Sequence, residues 1–480
     1  MTTFPSVALL SLSLRRDDRE PLARQLYLQL RDLILTGRIA AGARLPSTRT
    51  LAHDLQVSRI VPLAAYDQLS AEGYVASRRG SGIYVEHLGS RITPQGSAHR
   101  PRPSKPVAAG GGPSRDAPFS LGSQDVDAFP HADWARLLAR GWRRRSAGSL
   151  DDPAGLPELR AAIASYVHML RGVPCATEQV IVTSGNYESL QLIARLLPRG
   201  RRTAWVEDPG YLAAHRALKG AGVRLAPIPV DDQGLQVEAG KARAANAGLA
   251  LVTPAREFPI GSPMSLPRRL ALLDWAREAD ALLVEDDYDS EMRFSGKPLA
   301  SLTSLEPARV LALDSFSKLT FPGLRLGSIV GPAPVIARLV ALRGMQPNQT
   351  ATVAQPALAE FIETGGMARH LRFVRQRAMG RRRLLMTALE ERLGAWLTVK
   401  AQDVGRHLLA TPAPRLAERT SDGALAKRAA EAGLRIAPLS AFFVEAPPRQ
   451  GLLFGFGAWD EAEILRGVER LAEVIEPDRD

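Results

Sequence analysis

Apolar residues at helical spacing mark three short segments near the start of the chain. In the first segment they recur three or four residues apart up to Gly37, which predicts an amphipathic helix that ends at this glycine. Ser47 is the expected N-cap of a second helix over residues 48–55, and Ser58 that of a third helix over residues 59–73. The third helix is predicted to turn three side chains into the core, those of Leu63, Tyr66 and Leu69.

The third helix is followed by two short runs of β-forming residues, 74–77 and 82–85, around a basic tip. This pattern predicts a β-hairpin with cationic side chains where the chain reverses. The second and third helices are joined by a tight turn at Gln56 and Val57, which is typical of a helix-turn-helix. Residues 1–87 are therefore predicted to form a winged helix-turn-helix domain.

Three motifs in this domain resemble the GntR-type winged helix-turn-helix. They read G-R-I-A-A-G-A-R-L-P-S-T-R-T-L-A from Gly37, V-S-R from Val57 and A-Y-D-Q-L-S-A-E-G-Y-V from Ala65. The resemblance implies a double-stranded DNA operator as partner, with the third helix in the major groove and other residues against the phosphate backbone. The residues expected to contact DNA are Arg49, Ser58, Arg59, Arg78 and Arg79.

Two features of the third helix bear on the DNA sequence that it would read. Arg59 is positioned at the start of the helix to reach a guanine or a phosphate. Ile60, Val61 and Pro62 then follow where the family often has small polar residues. Apolar side chains there favour contact with thymine methyl groups over hydrogen bonds to bases, so the operator sequence does not carry over from relatives.

Residues 88–118 separate this domain from the rest of the chain. They are rich in Pro, Gly, Ser and Arg and show almost no apolar periodicity. A segment of this composition buries too little apolar surface to offset its ordering entropy, so a flexible linker is predicted.

The charge and cysteine content narrow the functional class. The formal net charge of +12 and a pI near 10.2 fit a polyanionic partner, although an arginine-rich composition alone also produces them. The single cysteine, Cys175, excludes a disulfide framework and a cysteine-rich zinc site, and we expect it to be a packed apolar residue.

No signal peptide or membrane-length apolar run is evident, which predicts a cytoplasmic protein without a membrane partner. No metal site is predicted.

Strand-like apolar runs alternate with helical patterns from residue 119 onward. This alternation predicts an α/β domain with a mainly parallel, doubly wound sheet, helices on both faces and ligands at the carboxyl ends of the strands. The predicted strands are 203–207, 250–253, 281–286, 310–314 and 326–330, and the clearest helices are 188–197 and 266–279.

Three of the predicted element junctions carry polar groups that suit one cofactor. An acidic cluster with a tyrosine occupies residues 285–289, a lysine and two serines lie within 315–318, and residues 183–188 lead from a strand into a helix whose free amides can hold an anion. Pyridoxal phosphate needs a lysine amine for a Schiff base, a carboxylate for its pyridine nitrogen, a phenol for its ring oxygen and an anion site for its phosphate. The sequence therefore predicts a pyridoxal 5′-phosphate site.

Motifs in the second part of the chain resemble the fold-type I aminotransferases, and most closely the MocR subfamily of GntR regulators, which joins both modules. They include V-E-D-P-G-Y from Val206, F-P-I-G from Phe258, V-E-D-D-Y-D-S-E from Val284 and S-F-S-K-L-T-F-P-G-L-R-L-G from Ser315. The resemblance implies an aminotransferase-like effector domain over residues 119–480. Within it, a smaller α+β subdomain is expected over about 365–480 together with 119–150.

The resemblance also implies a role for each residue of the cofactor site. Lys318 would form the Schiff base, Asp286 would pair with the pyridine nitrogen and Tyr288 would bond the ring hydroxyl. Tyr211 would stack on the ring. The residues expected near the phosphate are Arg325, Ser315, Ser317, Gly185 and Asn186.

Two departures from the family bear on whether the domain catalyses a reaction. Leu453 stands where relatives that use amino acids carry an arginine for the substrate α-carboxylate, and Arg256 and Glu257 replace the usual His-Gln or Asn near the ring oxygen. The first hypothesis is therefore a transcription regulator that senses pyridoxal phosphate, or a small amino compound bound on it, and no catalytic residue is assigned. The alternatives are an active aminotransferase with an accessory DNA-binding domain, and a DNA-binding protein whose second domain serves dimerisation alone.

The resemblance further implies a head-to-tail homodimer. Each helix-turn-helix would cross to the partner, which makes the dimer domain-swapped. A two-fold dimer reads paired half-sites, and a flexible linker lets the spacing of those half-sites vary.

Overall fold

Two units make up the computed structural model, residues 1–110 and 111–480. The residues that it describes are 12–18, 20–78, 82–87, 117–143, 152–296, 300–346, 350–400 and 402–476. Arg79 and nearly all of the predicted linker lie outside these ranges. The linker, the domain boundaries and the DNA contact of Arg79 therefore stay predictions.

The first unit has the order of elements that its apolar pattern predicts. Its elements are α1 Leu22–Leu35, α2 Thr48–Asp54, α3 Ile60–Ala71, β1 Val75–Arg78 and β2 Gly82–Val85. Helix α1 ends shortly before Gly37, which adopts a left-handed backbone with a φ of +71°. Ser47 caps α2 as predicted, because its Oγ accepts a 3.1 Å hydrogen bond from Thr50 N. The two strands pair antiparallel, with Val75 opposite Val85.

The third helix differs from its prediction in two ways. It begins at Ile60, and no described side chain caps it, because Ser58 Oγ accepts only a long 3.4 Å contact from Ile60 N. Tyr66 and Leu69 are buried as predicted, whereas the prediction for Leu63 is wrong, since its side chain is 47% exposed. A helix turns by about 100° per residue, so Leu63 lies to one side of the buried face that Tyr66 and Leu69 share.

The core of this unit lies between α1, α3 and the two strands. Leu26 and Leu30 of α1 are fully buried against Leu69 of α3 and its neighbours. The Tyr66 hydroxyl is buried too and donates a 3.0 Å hydrogen bond to the carbonyl of Pro46. This bond satisfies the buried hydroxyl group and connects α3 to the loop that precedes α2.

An eight-stranded sheet organises the second unit. Its strands are β3 Val180–Thr183, β4 Thr203–Asp208, β5 Arg224–Asp231, β6 Gly234–Leu235, β7 Leu249–Val252, β8 Leu282–Asp286, β9 Val310–Ser315 and β10 Gly327–Val330. Their order across the sheet is β3-β10-β9-β8-β7-β4-β5-β6. Strands β5, β4, β7, β8 and β9 run parallel, whereas β10 is antiparallel to both of its neighbours and β6 is antiparallel to β5. The mainly parallel sheet and its five predicted strands are confirmed.

Helices cover both faces of this sheet. The helices of this part of the chain are α4 His131–Trp142, α5 Pro157–Arg171, α6 Asn186–Ala194, α7 Leu212–Gly220, α8 Val237–Ala244, α9 Leu266–Glu278, α10 Leu302–Leu305, α11 Phe316–Leu319, α12 Ala333–Gly344 and α13 Gln355–Glu363. Successive residues of β4 point to opposite faces. Trp205 stacks on Trp275 of α9, with ring centroids 3.6 Å apart, while Val206 packs in the cluster that includes α6 and α7.

A smaller antiparallel sheet lies in the last part of the chain. Its strands are β11 Leu397–Lys400, β12 His407–Pro412, β13 Ala437–Pro438 and β14 Leu452–Gly455, in the order β11-β12-β14-β13, and its helices are α14 Gly366–Leu393, α15 Pro414–Ala417, α16 Asp422–Glu431 and α17 Glu461–Ile475. Phe119, at the start of the unit, packs against Phe454 of β14 at 5.5 Å between ring centroids. Trp134 of α4 instead lies against Phe361 of α13.

Candidate functional site

The carboxyl ends of the parallel strands meet at one edge of the large sheet, where β8 ends at Asp286. The Asp286 side chain is buried, and its Oδ1 accepts a 2.7 Å hydrogen bond from Asn186 Nδ2 at the start of α6. Burial raises the pKa of Asp286, while the positive charge of Lys318 and the bond from Asn186 act in the opposite direction. Asp286 is thus a buried carboxyl group that interacts with a nearby cation, Lys318.

Lys318 follows β9 closely, on the short helix α11. Its Nζ lies 4.8 Å from the ring centroid of Tyr288 and 5.2 Å from that of Tyr211. A cation at these distances is attracted by the electron-rich faces of both rings. The aromatic contacts therefore hold the amine at the sheet edge, near Asp286.

Two neighbouring cavities open around Lys318 and Tyr211, which line both of them. The first, of about 210 Å³, is lined by seven of the nine predicted cofactor residues, namely Gly185, Asn186, Tyr211, Ser315, Ser317, Lys318 and Arg325. The second, of about 300 Å³, adds Asp286 and Tyr288. The structure thus brings all nine residues around one pair of cavities.

The first cavity carries groups that suit an anion. Gly185 adopts a φ of +120° and precedes α6, whose first-turn amides have no partner within the helix. Arg325 has a left-handed backbone with a φ of +51°. Its guanidinium lies close to Gly185, since a Cβ added to that glycine would be 3.9 Å from Arg325 Nη2. Ser315 lines this cavity as well. Ser317 Oγ accepts a 3.2 Å bond from Leu326 N, so this hydroxyl supports the backbone next to Arg325.

Arg256 is a site residue to which the sequence assigned no role. It is buried, and its Nη1 donates a 2.9 Å hydrogen bond to the phenol oxygen of Tyr288. Its Nη2 donates to Gln402 Oε1 at 2.5 Å, and its two terminal nitrogens lie 3.2 and 3.0 Å from the ring nitrogens of His407. Burial lowers the pKa of His407 to about 3, so the ring is neutral and can accept a hydrogen bond from the guanidinium.

Glu257, the next residue, is a fully enclosed acid. Its Oε2 accepts a 2.8 Å bond from Ile260 N, and among the described residues no partner reaches Oε1. Burial and the charge of Glu207 hold the pKa of Glu257 well above its ordinary range, and burial raises the pKa of Glu207 to about 7. The raised pKa favours the protonated form of Glu257, which reduces the like-charge repulsion with Glu207 in this buried region.

Arg406 is a second cation that no sequence motif indicated. It lines the larger cavity, and its Nε and Nη2 donate to Asp289 Oδ1 at 3.0 and 2.8 Å. Burial acts to raise the pKa of Asp289, but the nearby positive charges of Arg406, Arg256 and Lys318 together outweigh it and the pKa is lowered. Arg406 Nη1 also donates to the carbonyl of Lys318 at 2.8 Å. This ion pair therefore fixes the short helix that carries the lysine.

In the first unit, the predicted DNA contacts that the structure describes are all exposed: Arg49, Ser58, Arg59 and Arg78. Arg59 Nε lies 3.4 Å from Thr48 Oγ1, which brings the starts of α2 and α3 together. The Arg78 guanidinium lies 4.8 Å from the ring centroid of Tyr84, so it rests on the opposite strand of the hairpin. Cations are thus available on α2, on the hairpin and at the start of α3.

Two features are absent from the part of the chain that the structure describes. No helix in it is long and apolar enough to span a membrane. No group of three or more His, Cys, Asp or Glu side chains in it is suited to hold a metal ion.

Comparison with known proteins identifies both units. Residues 22–85 match the model of bacterial regulatory proteins, gntR family, and residues 120–452 match aminotransferase class I and II. The probable rhizopine catabolism regulatory protein MocR of Rhizobium meliloti is 37% identical, covering 96% of this chain and 95% of its own. The chain belongs to the MocR subfamily of GntR-type transcription regulators. Another relative, the pyridoxine biosynthesis transcriptional regulator PdxR of Corynebacterium glutamicum, is 31% identical with 98% of both chains covered.

Solved aminotransferase structures resemble the second unit of this MocR-type chain. The multiple substrate aminotransferase of Thermococcus profundus superposes with a TM-score of 0.67 at 26% identity, covering 76% of this chain and 92% of that one. The kynurenine aminotransferase of Pyrococcus horikoshii gives a TM-score of 0.67 at 25% identity, covering 76% and 91%. The second unit therefore has the fold-type I aminotransferase fold.

One position of this MocR-type chain departs from the pattern of relatives that use amino acids. Leu453, where an arginine for the substrate carboxylate is expected, is fully buried in β14. It packs with Ile260, Leu409 and Leu439 in a small apolar cluster. The leucine at this position packs in the core, and its side chain has no group that can bind a carboxylate.

The two arginines that the motifs missed differ in how they could have been found. Arg406 lies 117 positions after its partner Asp289, so no local spacing links them. The available signal was the acidic cluster itself, because like charges packed closely require a nearby cation. For Arg256 the signal was that it stands, with Glu257, in place of the usual His-Gln or Asn near the ring oxygen.

Proposed function

We propose that the chain regulates transcription by binding duplex DNA through its first unit and pyridoxal 5′-phosphate through its second. The observation that carries the cofactor part is the larger cavity, because Lys318, Asp286 and Tyr288 all line it. Membership of the MocR subfamily supports both parts, since relatives with matching full-length sequences are named as regulatory proteins.

The side chains around the cavity suit this cofactor. When bound, pyridoxal phosphate supplies an aldehyde that reacts with primary amines and a pyridine ring that withdraws electrons. The Lys318 amine is the nucleophile for the aldehyde, and the buried Asp286 carboxylate can hold a proton on the pyridine nitrogen. Tyr211 is 36% exposed and offers an aromatic face on which a ring can stack.

A phosphate dianion fits the first cavity. Arg325 supplies positive charge, the amides at the start of α6 supply N–H donors, and Ser315 supplies a hydroxyl group. Gly185 contributes through its backbone, because a φ of +120° is a conformation that side-chain-bearing residues rarely adopt. Ser317 supports this arrangement indirectly through its bond with Leu326 N.

Turnover of α-amino acids is not part of the proposal, because Leu453 is buried in β14 and cannot bind a carboxylate. The proposed effector is instead pyridoxal phosphate itself or a small amino compound bound on it. Such a ligand alters DNA binding only if its affinity differs between the DNA-bound and DNA-free states. A head-to-tail homodimer is part of this proposal, and it would present two helix-turn-helix units to paired half-sites.

Absorbance spectroscopy of the purified full-length protein tests the cofactor site. We expect a visible absorption band after addition of pyridoxal phosphate, and borohydride should fix the cofactor on the peptide that contains Lys318, as detected by mass spectrometry. Lys318→Ala should abolish this fixation, whereas Lys219→Ala, at an exposed position of α7, should retain it. A protein that stays colourless at saturating cofactor would contradict the proposal.

A binding selection from a random-sequence duplex library tests the DNA part. We expect one enriched sequence and an affinity for it that changes when pyridoxal phosphate is added. In parallel, the protein is incubated with D- and L-amino acids and a 2-oxo acid. Sustained amino-group transfer would favour the alternative of an active aminotransferase with an accessory DNA-binding domain.

A further inference from the structure

Two large apolar side chains stand on the outward face of helix α3. Ile60 is 72% exposed and Leu63 is 47% exposed. Residues three apart are neighbours on a helix surface, and the exposed Ala64 extends the same face. Tyr66 and Leu69 lie on the adjoining face of the helix and are buried in the core of the unit.

This apolar patch, Ile60 with Leu63 and Ala64, contributes little to the stability of the unit, because most of its surface stays in water. Its border at the start of the helix is basic, whereas the exposed Asp67 lies one turn further along. Arg59 precedes Ile60 and is exposed, and its Nε lies 3.4 Å from Thr48 Oγ1, next to the exposed Arg49. A patch with an apolar centre and a basic border matches the major groove, where bases lie between two rows of phosphates.

The side chains of the patch restrict which base they can recognise. In a helix-turn-helix, the residues at the start of the second helix contact base edges. Ile60, Leu63 and Ala64 have no hydrogen-bonding side-chain groups, so they leave the polar edges of guanine, cytosine and adenine without partners. Thymine is the base that presents an apolar group, its 5-methyl, in the major groove.

We propose that Ile60 and Leu63 select thymine by packing on its 5-methyl group in each half-site of the operator. The inference rests on the proposed DNA binding and adds the chemistry of the readout. Three residues of helix advance the chain by about 4.5 Å, which is comparable to the roughly 3.4 Å rise between base pairs. The two side chains therefore reach thymines at adjacent or next-but-one base pairs.

Deoxyuridine substitution tests this readout, because it removes the 5-methyl group and leaves every hydrogen-bonding group of thymine in place. The full-length protein is used with the duplex enriched from a random-sequence library, and each thymine is replaced in turn. At one or two positions per half-site we expect the Kd to rise about fourfold, the loss for roughly one buried methyl group. With Ile60→Ser the deoxyuridine effect should vanish at one of these positions, and with Leu63→Ser at another.

Matched measurements separate base readout from a general loss of DNA binding. Met169→Ala removes an apolar side chain that is 73% exposed, like Ile60, but lies in the second unit, and it should keep every deoxyuridine effect. Ile60→Ser should also leave the salt dependence of Kd unchanged, because the phosphate contacts stay. An enriched duplex with no deoxyuridine effect would overturn the inference while DNA binding stands, and the patch would then be a contact for another protein. Failure to enrich any sequence would contradict the proposed function itself.

Discussion

Arg256 Nη1 donates a 2.9 Å hydrogen bond to the phenol oxygen of Tyr288. Because the phenol oxygen accepts this bond, its own proton is available for a second acceptor. Tyr288 lines the cavity that Lys318 and Asp286 also line, so the ring oxygen of the proposed cofactor is the natural second acceptor. Arg256 would then position Tyr288 for the cofactor, in place of the residues that relatives carry near this oxygen.

Replacing Arg256 tests this relationship. We expect Arg256→Met to weaken pyridoxal phosphate binding about ten- to hundredfold, since a hydrogen bond involving a charged group contributes about 1.5–3 kcal/mol. In a Tyr288→Phe background the same substitution should have a much smaller effect, because the arginine acts through the phenol. Absorbance titrations of the four proteins form the double-mutant cycle that measures this coupling.

A control must separate positioning from packing, because Arg256 is buried and also bonds Gln402. Gln402→Met removes that second bond and leaves the contact with Tyr288, so cofactor affinity should stay near the wild-type value. Equal losses in Gln402→Met and Arg256→Met, or additive effects of Arg256→Met and Tyr288→Phe, would assign Arg256 a packing role instead.

Asn186 offers a prediction for the pH dependence of cofactor binding. Burial raises the pKa of Asp286, and the 2.7 Å bond from Asn186 opposes this rise. Asn186→Ala should therefore raise the pKa of Asp286, so the carboxylate is protonated at a higher pH and no longer stabilises a protonated pyridine. As the pH is lowered, we expect the affinity of the variant for pyridoxal phosphate to begin to fall at a higher pH than that of the wild type. Titrations between about pH 5 and about pH 8 measure this difference.

The control for this measurement is Tyr187→Phe, which changes the next residue along the lining of the first cavity. It leaves the bond to Asp286 intact and should retain the wild-type pH profile. Superimposable profiles for Asn186→Ala and the wild type would show that the amide does not tune the carboxyl group.

The elements and the cofactor residues were predictable because their signals are local. A strand that ends in Asp286, or one followed closely by Lys318, can be read from a few adjacent residues. Parallel strands then bring their carboxyl ends to one sheet edge, so separate motifs converge without knowledge of the tertiary contacts. The surroundings of these motifs were not predictable in this way, because Arg406 and Gln402 come from distant parts of the chain.

The error at Leu63 has a different cause. An apolar residue in an amphipathic helix is expected to face the core, and that expectation suited Tyr66 and Leu69. Leu63 instead belongs to the outward face with Ile60. Hydrophobic periodicity cannot distinguish a core residue from one that contacts a ligand when both are apolar.

The buried acid Glu207 predicts a pH dependence of stability. Burial raises its pKa from 4.5 to about 7, so between these values the folded state holds a proton that the unfolded state has released. The free energy of unfolding should therefore fall as the pH rises through this window, by about 3 kcal/mol from this group. Glu207→Gln cannot ionise, so the fall from about pH 5 to about pH 8 should be smaller by a similar amount.

Urea denaturation followed by tryptophan fluorescence measures this change, since Trp205 and Trp275 stack in the core of the same unit. Glu238→Gln is the matched control, because Glu238 has a side chain that is 84% exposed and should leave the pH dependence as it is. Identical pH slopes for Glu207→Gln and the wild type would mean that Glu207 ionises in the folded protein much as it does in the unfolded chain.

Arg59 and Arg49 are expected to separate base recognition from backbone attraction. Arg59, at the start of α3, is positioned for a guanine edge, so Arg59→Ala should cost about 1–3 kcal/mol on the enriched duplex and relax selection at one base pair. Arg49→Ala should weaken binding to enriched and random duplexes alike and reduce the salt slope by about one. Arg195→Ala, at an exposed position of the second unit, is the control and should change neither quantity. If Arg59→Ala lowered the salt slope without relaxing selection, Arg59 would be a phosphate contact. Only the apolar face of α3 would then recognise bases.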